Sequence, residues 1–243
     1  MKKETGDDKR PALSFFSPPP PPPPHLTSFH VGTGSLNAWE FAKAIAMSRR
    51  LFDIAQTMGF NPTILDIGGG FPGDARRFRG KVQTTPFPEF AQAIRWALER
   101  FFPEEGIRVI AEPGRFIASG SSILVTQVQG KRLIRNPDGT IRTVMYYMNE
   151  GAMGSFPHIE EDSLPCYPDP VESHQEERPI YSSIIWGPTC CPIDAIIEDE
   201  PHPEMYIGEW YAWRAMGAYM ASTASSFNGF LIPRAIEVDS ELE

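Results

Sequence analysis

The sequence predicts an α/β half built of parallel strand–helix units, followed by an all-β half. Three observations carry this. A short apolar strand, a loop containing glycine and then a helix recur before Ser119. After Ser119, short strands separated by turn signals take over. A chain of 243 residues with 41% hydrophobic content has apolar material for one large core or two smaller ones.

Taken in order, residues 1–27 contain the run Pro18–Pro24. Consecutive prolines fix φ and remove donors, so a disordered, extended leader is expected, of a kind that can also dock on an aromatic groove. Residues 28–118 hold the strand–helix units. LTSFHVG leads into a helix over Asn37–Met58, where Asn37 and Glu40 have capping-box spacing and Phe41, Ile45, Phe52 and Ala55 recur on one face. TILDIGGGF leads into a helix near Pro88–Phe102, and IRVIAEPGRF supplies the third strand. Residues 119–243 read as β. ILVTQVQ and RLIRNPDGTIRTVMYYMNE turn at Asn136–Gly139, and further strands are predicted at Ser182–Trp186 and Met205–Trp210.

Net charge is −9 and unevenly spread: Glu150–Glu204 holds thirteen Asp or Glu and one Lys or Arg, Arg178. A phosphate backbone is repelled by such a stretch, which argues against nucleic acid as a partner. A small cationic molecule is attracted by it, although a solvated acidic face has the same composition. MKKETGDDKRPALSFF lacks the apolar length of a signal segment, and no run reaches the roughly 20 residues of a spanning helix, so a cytoplasmic, membrane-free protein is expected. Three cysteines are too few for a disulfide framework. Cys190 and Cys191 are adjacent, which makes a bridge between them awkward, and a reducing compartment follows. No metal site is expected, because no third and fourth ligand stand at suitable spacing.

Several residues are chemical candidates. Gly68, Gly69 and Gly70 directly after a strand offer bare amides that can cradle a phosphate, although a tight turn has the same need. Glu112 and Arg115 place a carboxylate and a guanidinium after the next strand, at the sheet end where α/β folds bind ligands; a plain strand-end ion pair is the alternative. His30, at the end of the first strand, is a ligand-contact candidate or a satisfied core histidine. Cys191 also suits the role of a small buried filler.

The ordered series SFHVGTG, LDIGGGF, IAEPGRF, MNEGAMGSF, WGPTC and MGAYM…SSFNGF resembles the ornithine decarboxylase family across residues 28–243. These are pyridoxal-phosphate enzymes with a (β/α)8 barrel of the alanine-racemase type and a C-terminal β domain. The resemblance implies a partial barrel, its last few βα units, over residues 28–118, and a C-terminal all-β domain over 119–243 carrying the catalytic-cysteine loop. It implies pyridoxal 5'-phosphate as cofactor, stacked by His30 and held at its phosphate by Thr33, Gly68, Gly69, Gly70, Arg115 and Tyr219. Glu112 would keep the pyridine nitrogen protonated. Cys190 would return a proton to the substrate carbon in the partner's site of a head-to-tail homodimer. Asp162 would bind the far amine of a small cationic amino acid, and Phe227 would line the site.

Two departures from the family are visible. The family has Asp where this chain has Cys191, so one charge-assisted contact to the substrate ammonium is expected to be missing, with Asp194 nearby as a second acid. The family also carries, before the His30 motif, more of the barrel and the lysine to which the cofactor attaches. Residues 1–27 stand in that place, and Lys2, Lys3, Lys9, Lys43, Lys81 and Lys131 all lie away from strand ends, with Lys43 mid-helix and Lys81 in a polar loop. The chain is therefore expected to be truncated relative to the family and inactive alone. The alternatives are an inactive paralogue that pairs with a full-length decarboxylase, and a decarboxylase of altered, alkaloid-type specificity.

Overall fold

The computed structural model describes residues 25–33, 35, 37–73, 76–78, 81–83, 87–156, 167–172 and 177–238. Asp162 and most of the proline-rich segment lie outside the described residues. The first strand, β1 (Leu26–Ser28), starts inside the expected leader, so Leu26 and Thr27 belong to the α/β unit. It is followed by α1 (Trp39–Thr57) and β2 (Ile64–Asp66). A small antiparallel pair comes next, β3 (Arg76–Phe78) with β4 (Lys81–Gln83), which puts Lys81 in a strand and not in a loop. Then come α2 (Phe87–Phe101), β5 (Arg108–Ile110) and the short α3 (Gly114–Ala118).

β1, β2 and β5 form one parallel sheet, in register Leu26 with Ile64 and Ile64 with Arg108. α1 forms where Phe41, Ile45 and Phe52 fall on one face, and all three are fully buried. They pack with Leu65 and Ile67 of the sheet and with Phe90, Ala93 and Ala97 of α2. Asn37 opens the helix: its side-chain oxygen accepts the Trp39 N–H at 3.1 Å and its amide donates to Glu40 at 3.1 Å. Gly59, at φ 87°, ends it.

The second core belongs to a six-stranded sheet of β6 (Leu124–Arg135), β7 (Ile141–Met148), β8 (Asp169–Pro170), β9 (Ile180–Trp186), β10 (Ala195–Pro203) and β11 (Trp210–Trp213). Its order is β10-β9-β7-β6-β11-β8; β7 and β9 are parallel and the other pairs antiparallel. Val128, Val144, Tyr146, Met148, Ile185 and Trp213 fill the core, and the Trp213 indole donates to Thr126 at 2.8 Å. The strand expected at Met205–Trp210 lies at Trp210–Trp213 instead. Gly208 at φ 94° turns the chain there, and Trp210 is where pairing with β6 begins. β10 was not foreseen, because Pro201, Pro203 and the acidic run Glu198–Glu200 argue against a central strand. It is an edge strand, where both are tolerated, with a pairing irregularity around Asp199 at φ 51°. Among the described residues, no helix is long and apolar enough to cross a membrane.

One ionic clasp ties the turn after β10 to the rest of this sheet. Arg178 donates to both carboxylate oxygens of Glu209, at 2.6 and 2.8 Å, while Lys131 donates to Glu204 at 2.5 Å. Tyr206 lies between the two cations, its ring centre 4.6 Å from Arg178 and 5.1 Å from Lys131. Burial pushes Glu209 up, but the Arg178 fork, the Tyr206 N–H and the Tyr211 hydroxyl outweigh it and hold the carboxyl at about 2.

That lowered value sets a pH dependence. The stabilisation from Glu209 is complete above its ordinary value of 4.5 and is lost as pH falls toward 2. Arg178→Met is expected to cost about 3 kcal/mol at neutral pH, with the gap from wild type closing in acid. Chemical denaturation across pH measures this; an equal loss at neutral pH and at about pH 3 contradicts it.

Candidate functional site

Because β1, β2 and β5 run parallel, the loops that follow them emerge at one end of the sheet. There they meet at close quarters. Gly68 has φ 61°, and a Cβ on it would strike the Phe29 carbonyl oxygen. A Cβ on Gly69 would sit 2.8 Å from His30 Nε2 and 2.9 Å from the Glu112 carbonyl oxygen. Gly70, at φ 96°, is pressed against Val31 and Gly32. The glycine run is thus required by the contact between loops, whatever it binds. Buried Asp66 secures it by accepting the Gly68 N–H at 2.8 Å and the Ser28 hydroxyl at 3.3 Å, and the Glu112 N–H donates to the Gly68 carbonyl at 2.8 Å.

Around this junction stand the predicted cofactor residues. His30 and Glu112 are exposed, and His30 Nδ1 accepts the Gly32 N–H at 2.9 Å, which orients the ring. Arg115 is buried and donates through Nε and Nη2 to the Thr33 hydroxyl, at 3.3 and 3.1 Å. The Tyr219 ring centre lies 5.2 Å from the Arg115 guanidinium carbon. Gly114 lets that ring in: a Cβ there would lie 2.5 Å from the Tyr219 hydroxyl. Thr33, Arg115 and Tyr219 therefore converge from three distant stretches of sequence. The set fits a phosphorylated aromatic cofactor: a guanidinium and two hydroxyls for the anion, with a carboxylate and an imidazole at the same sheet end for the ring.

What delivers Tyr219 was not legible in the sequence. After β11 the chain returns to α3, with Met216 N–H donating to the Ser122 carbonyl and Gly217 N–H to that of Ser119, both at 3.0 Å. A Cβ on Gly217 would strike the Ala118 carbonyl. Tyr219 itself adopts φ 61°, a strained conformation for a tyrosine.

The cysteine loop forms a second group. Cys190 is exposed and Cys191 partly so, and neither is bridged. Asp194, expected as a spare acid near the substrate, is completely buried and anchors the loop. It accepts the Ala152 N–H at 2.6 Å, the Thr189 N–H at 2.9 Å and the Thr189 hydroxyl at 2.6 Å. Gly151 and Gly187 wrap it so closely that a Cβ on either would strike the carboxylate. Beside it lies Glu150, a residue without an assigned role in the sequence reading although it stands in MNEGAMGSF. Its Oε1 accepts the Gly151 and Ser155 N–H groups at 3.1 and 2.9 Å. Burial pushes the Glu150 carboxyl up; the two N–H bonds oppose this and the Asp194 charge adds to it. Phe227 is half-exposed on a turn whose neighbour Ser225 donates to the Met153 carbonyl at 2.6 Å, tying it to the same loop. Lys43 pairs with Glu40 on α1 and Lys131 belongs to the clasp, so neither is engaged at the β1–β2–β5 end.

Comparison with known proteins is consistent with this arrangement. A family model described as the pyridoxal-binding domain of pyridoxal-dependent decarboxylases matches residues 26–119, and one described as their C-terminal sheet domain matches residues 73–217. Ornithine decarboxylase of Cricetulus griseus is 38% identical over 212 residues, which is 85% of this chain and 45% of that protein. Antizyme inhibitor 2 of Xenopus laevis is 35% identical, covering 84% and 45%. Among solved structures, the arginine decarboxylase of Paramecium bursaria Chlorella virus superposes with a TM-score of 0.70 at 36% identity, over 84% of this chain and 51% of that one. The lysine/ornithine decarboxylase of Vibrio vulnificus, complexed with cadaverine, gives 0.71 at 30% identity, over 88% and 54%. The chain spans about half the length of the curated relatives it matches.

The raised Glu150 carboxyl has a testable consequence. An acid raised above its unfolded value binds its proton more tightly in the fold, so its contribution is fully present below about 4.5 and is lost as pH rises through the folded value. Glu150→Gln keeps an acceptor oxygen for both N–H groups and cannot ionise. Its stability relative to wild type is expected to improve as pH rises above about 4.5. Thermal unfolding at a series of pH values decides this; a difference that does not change with pH removes Glu150 as its source.

Proposed function

The chain belongs to the pyridoxal-dependent decarboxylase family, and from that premise we propose that it serves the decarboxylation of ornithine or a related basic amino acid. The family's cofactor is pyridoxal 5'-phosphate. One observation carries the reading: Thr33, Arg115 and Tyr219 converge beside the Gly68–Gly70 junction, with His30 and Glu112 at the same sheet end. Relatives and neighbours named for ornithine, arginine and lysine decarboxylation support a basic amino acid as substrate.

In this reading the bound cofactor supplies an electron sink for the pair left behind when CO₂ departs. The chain's own residues do the rest. Arg115, Tyr219 and Thr33 hold the phosphate, and the Glu112 carboxylate holds a proton on the ring nitrogen. The His30 imidazole, oriented by the Gly32 N–H, would contact the cofactor ring. Cys190 hands a proton to the substrate carbon, acting across a homodimer. Asp162 would bind the far amine of the substrate, and Cys191 offers a thiol where the family has a carboxylate. A regulatory reading, in which the chain pairs with a longer decarboxylase, is favoured by two observations. A relative is named as an antizyme inhibitor, and neither Lys43 nor Lys131 is engaged with the cofactor residues.

Titration of the chain with pyridoxal 5'-phosphate tests the site. Arg115→Ala is expected to weaken binding at least about tenfold, since a charge-assisted contact contributes about 1.5–3 kcal/mol. Borohydride is expected to fix no adduct on Lys43 or Lys131; a stoichiometric adduct on either overturns the placement of the site. In a form that carries a cofactor-attaching lysine, Cys191→Asp is expected to raise kcat/KM for ornithine by about one to two orders of magnitude. An unchanged value places the far-amine contact elsewhere, and absence of turnover in that form favours the regulatory reading.

A further inference from the structure

We propose that Cys190 and Cys191 together form a dithiol clamp for trivalent organoarsenicals, a ligand class taken up through two sulfurs at once. The inference is independent of the decarboxylase reading and rests on the loop itself. Both cysteines reach solvent and neither is in a disulfide. Among the described residues, no hydrogen bond occupies either sulfur. In an extended strand, successive side chains would point to opposite faces. Here the chain bends through Pro188–Cys190 and turns again at Pro192–Ile193. The Cys191 N–H folds back onto the Thr189 hydroxyl oxygen at 3.3 Å, and the Asp194 N–H closes the next turn onto the Cys191 carbonyl at 3.0 Å.

Preorganisation supports capture. The first turn is fastened to the buried Asp194 carboxylate through the Thr189 N–H and hydroxyl, and the second is closed by the Asp194 N–H itself, so holding two sulfurs around one ligand costs little further ordering of the backbone. The same geometry favours an inserted atom over direct oxidation. Neighbouring Cα atoms across a trans peptide are about 3.8 Å apart, below the roughly 4.4–6.8 Å range of relaxed disulfides. A direct S–S bond therefore closes a small strained ring, and a bridging atom enlarges and relaxes it. Thiolates select soft partners, and trivalent arsenic is one. The reaction balances without an oxidant. An arsenoxide R–As=O and two thiols give R–As bonded to both sulfurs plus one water; the As=O bond and two S–H bonds break, two As–S and two O–H bonds form, and the arsenic oxidation state is unchanged.

The second sulfur engages within the same chain, and such linked contacts raise overall affinity by about 10²–10⁴-fold over a single one. The test uses reduced chain and phenylarsine oxide at equal concentration, followed by intact mass and thiol titration. One arylarsenic per chain is expected, with two titratable thiols lost, and it should persist in excess monothiol but leave with a small dithiol. Cys190→Ser and Cys191→Ser should each lower retention in monothiol about a hundredfold, Cys191→Ala should match Cys191→Ser, and Cys166→Ser should retain the adduct. Retention by the Cys191 variants, loss in Cys166→Ser, or a wild-type adduct released by monothiol would each overturn the proposal.

Discussion

The α/β half depends on a single steric constraint: three loops after parallel strands occupy one small volume that leaves no room for a side chain at Gly68, Gly69 or Gly70. Gly68, Gly69 and Gly70 have no Cβ because atoms of Phe29, His30, Gly32 and Glu112 already occupy those positions. Buried Asp66, within β2, then locks the loop through the Gly68 N–H. His30 and Glu112 belong to the loops so joined, and their placement at one sheet end follows from close contact between those loops, the His30 ring itself lying against Gly69. A substitution at Gly69 therefore moves two candidate cofactor residues at once.

The β half solves a different problem, that of bringing residues from far along the chain to that sheet end and holding a loop at the surface. It uses buried charge for the second task. Asp194 and Glu150 take up backbone N–H groups that the Gly151–Ser155 and Gly187–Thr189 segments cannot satisfy through strand pairing. A buried carboxylate is costly unless its oxygens are well supplied with donors. The glycines at 151, 154 and 187 are what let the donors come close enough. The close approach of Gly217 to the Ala118 carbonyl couples the halves, and Tyr219 is carried along to Gly114 and Arg115.

This division explains what the sequence disclosed. α1 and α2 were legible because their apolar spacing matches a helix, and Phe41, Ile45 and Phe52 are buried as that spacing demands. The parallel strands were legible from their repetition with glycine loops. β10 was hidden by its acids and prolines, since edge position is a tertiary fact that no local window contains. The strand after Met205 was displaced because Gly208 turns the chain, although Tyr206 and Ile207 look strand-like. At the site, residue types in motifs identified candidates, but the role of Asp194 was masked: an acid two residues past a proline looks the same whether it faces substrate or the interior. The acidic stretch was likewise read as one surface. Its members instead include two buried loop anchors and, in Glu204, one arm of the clasp.

That burial bears on the adjacent cysteines. The path of the loop is set by Thr189, Asp194 and backbone turns, and among the described residues the hydrogen bonds of Cys191 are made by its main chain. The side chain at 191 can therefore change without a change in the loop that presents residue 190. A carboxylate there would place a negative charge beside the exposed thiol, whereas a thiol offers a soft sulfur atom. A thiol and a carboxylate at 191 therefore differ in chemistry at a fixed geometry. Asp194 is fully committed within the interior and adds no charge at the surface. The chemistry the loop presents is thus set at residue 191, while its shape is set three residues away.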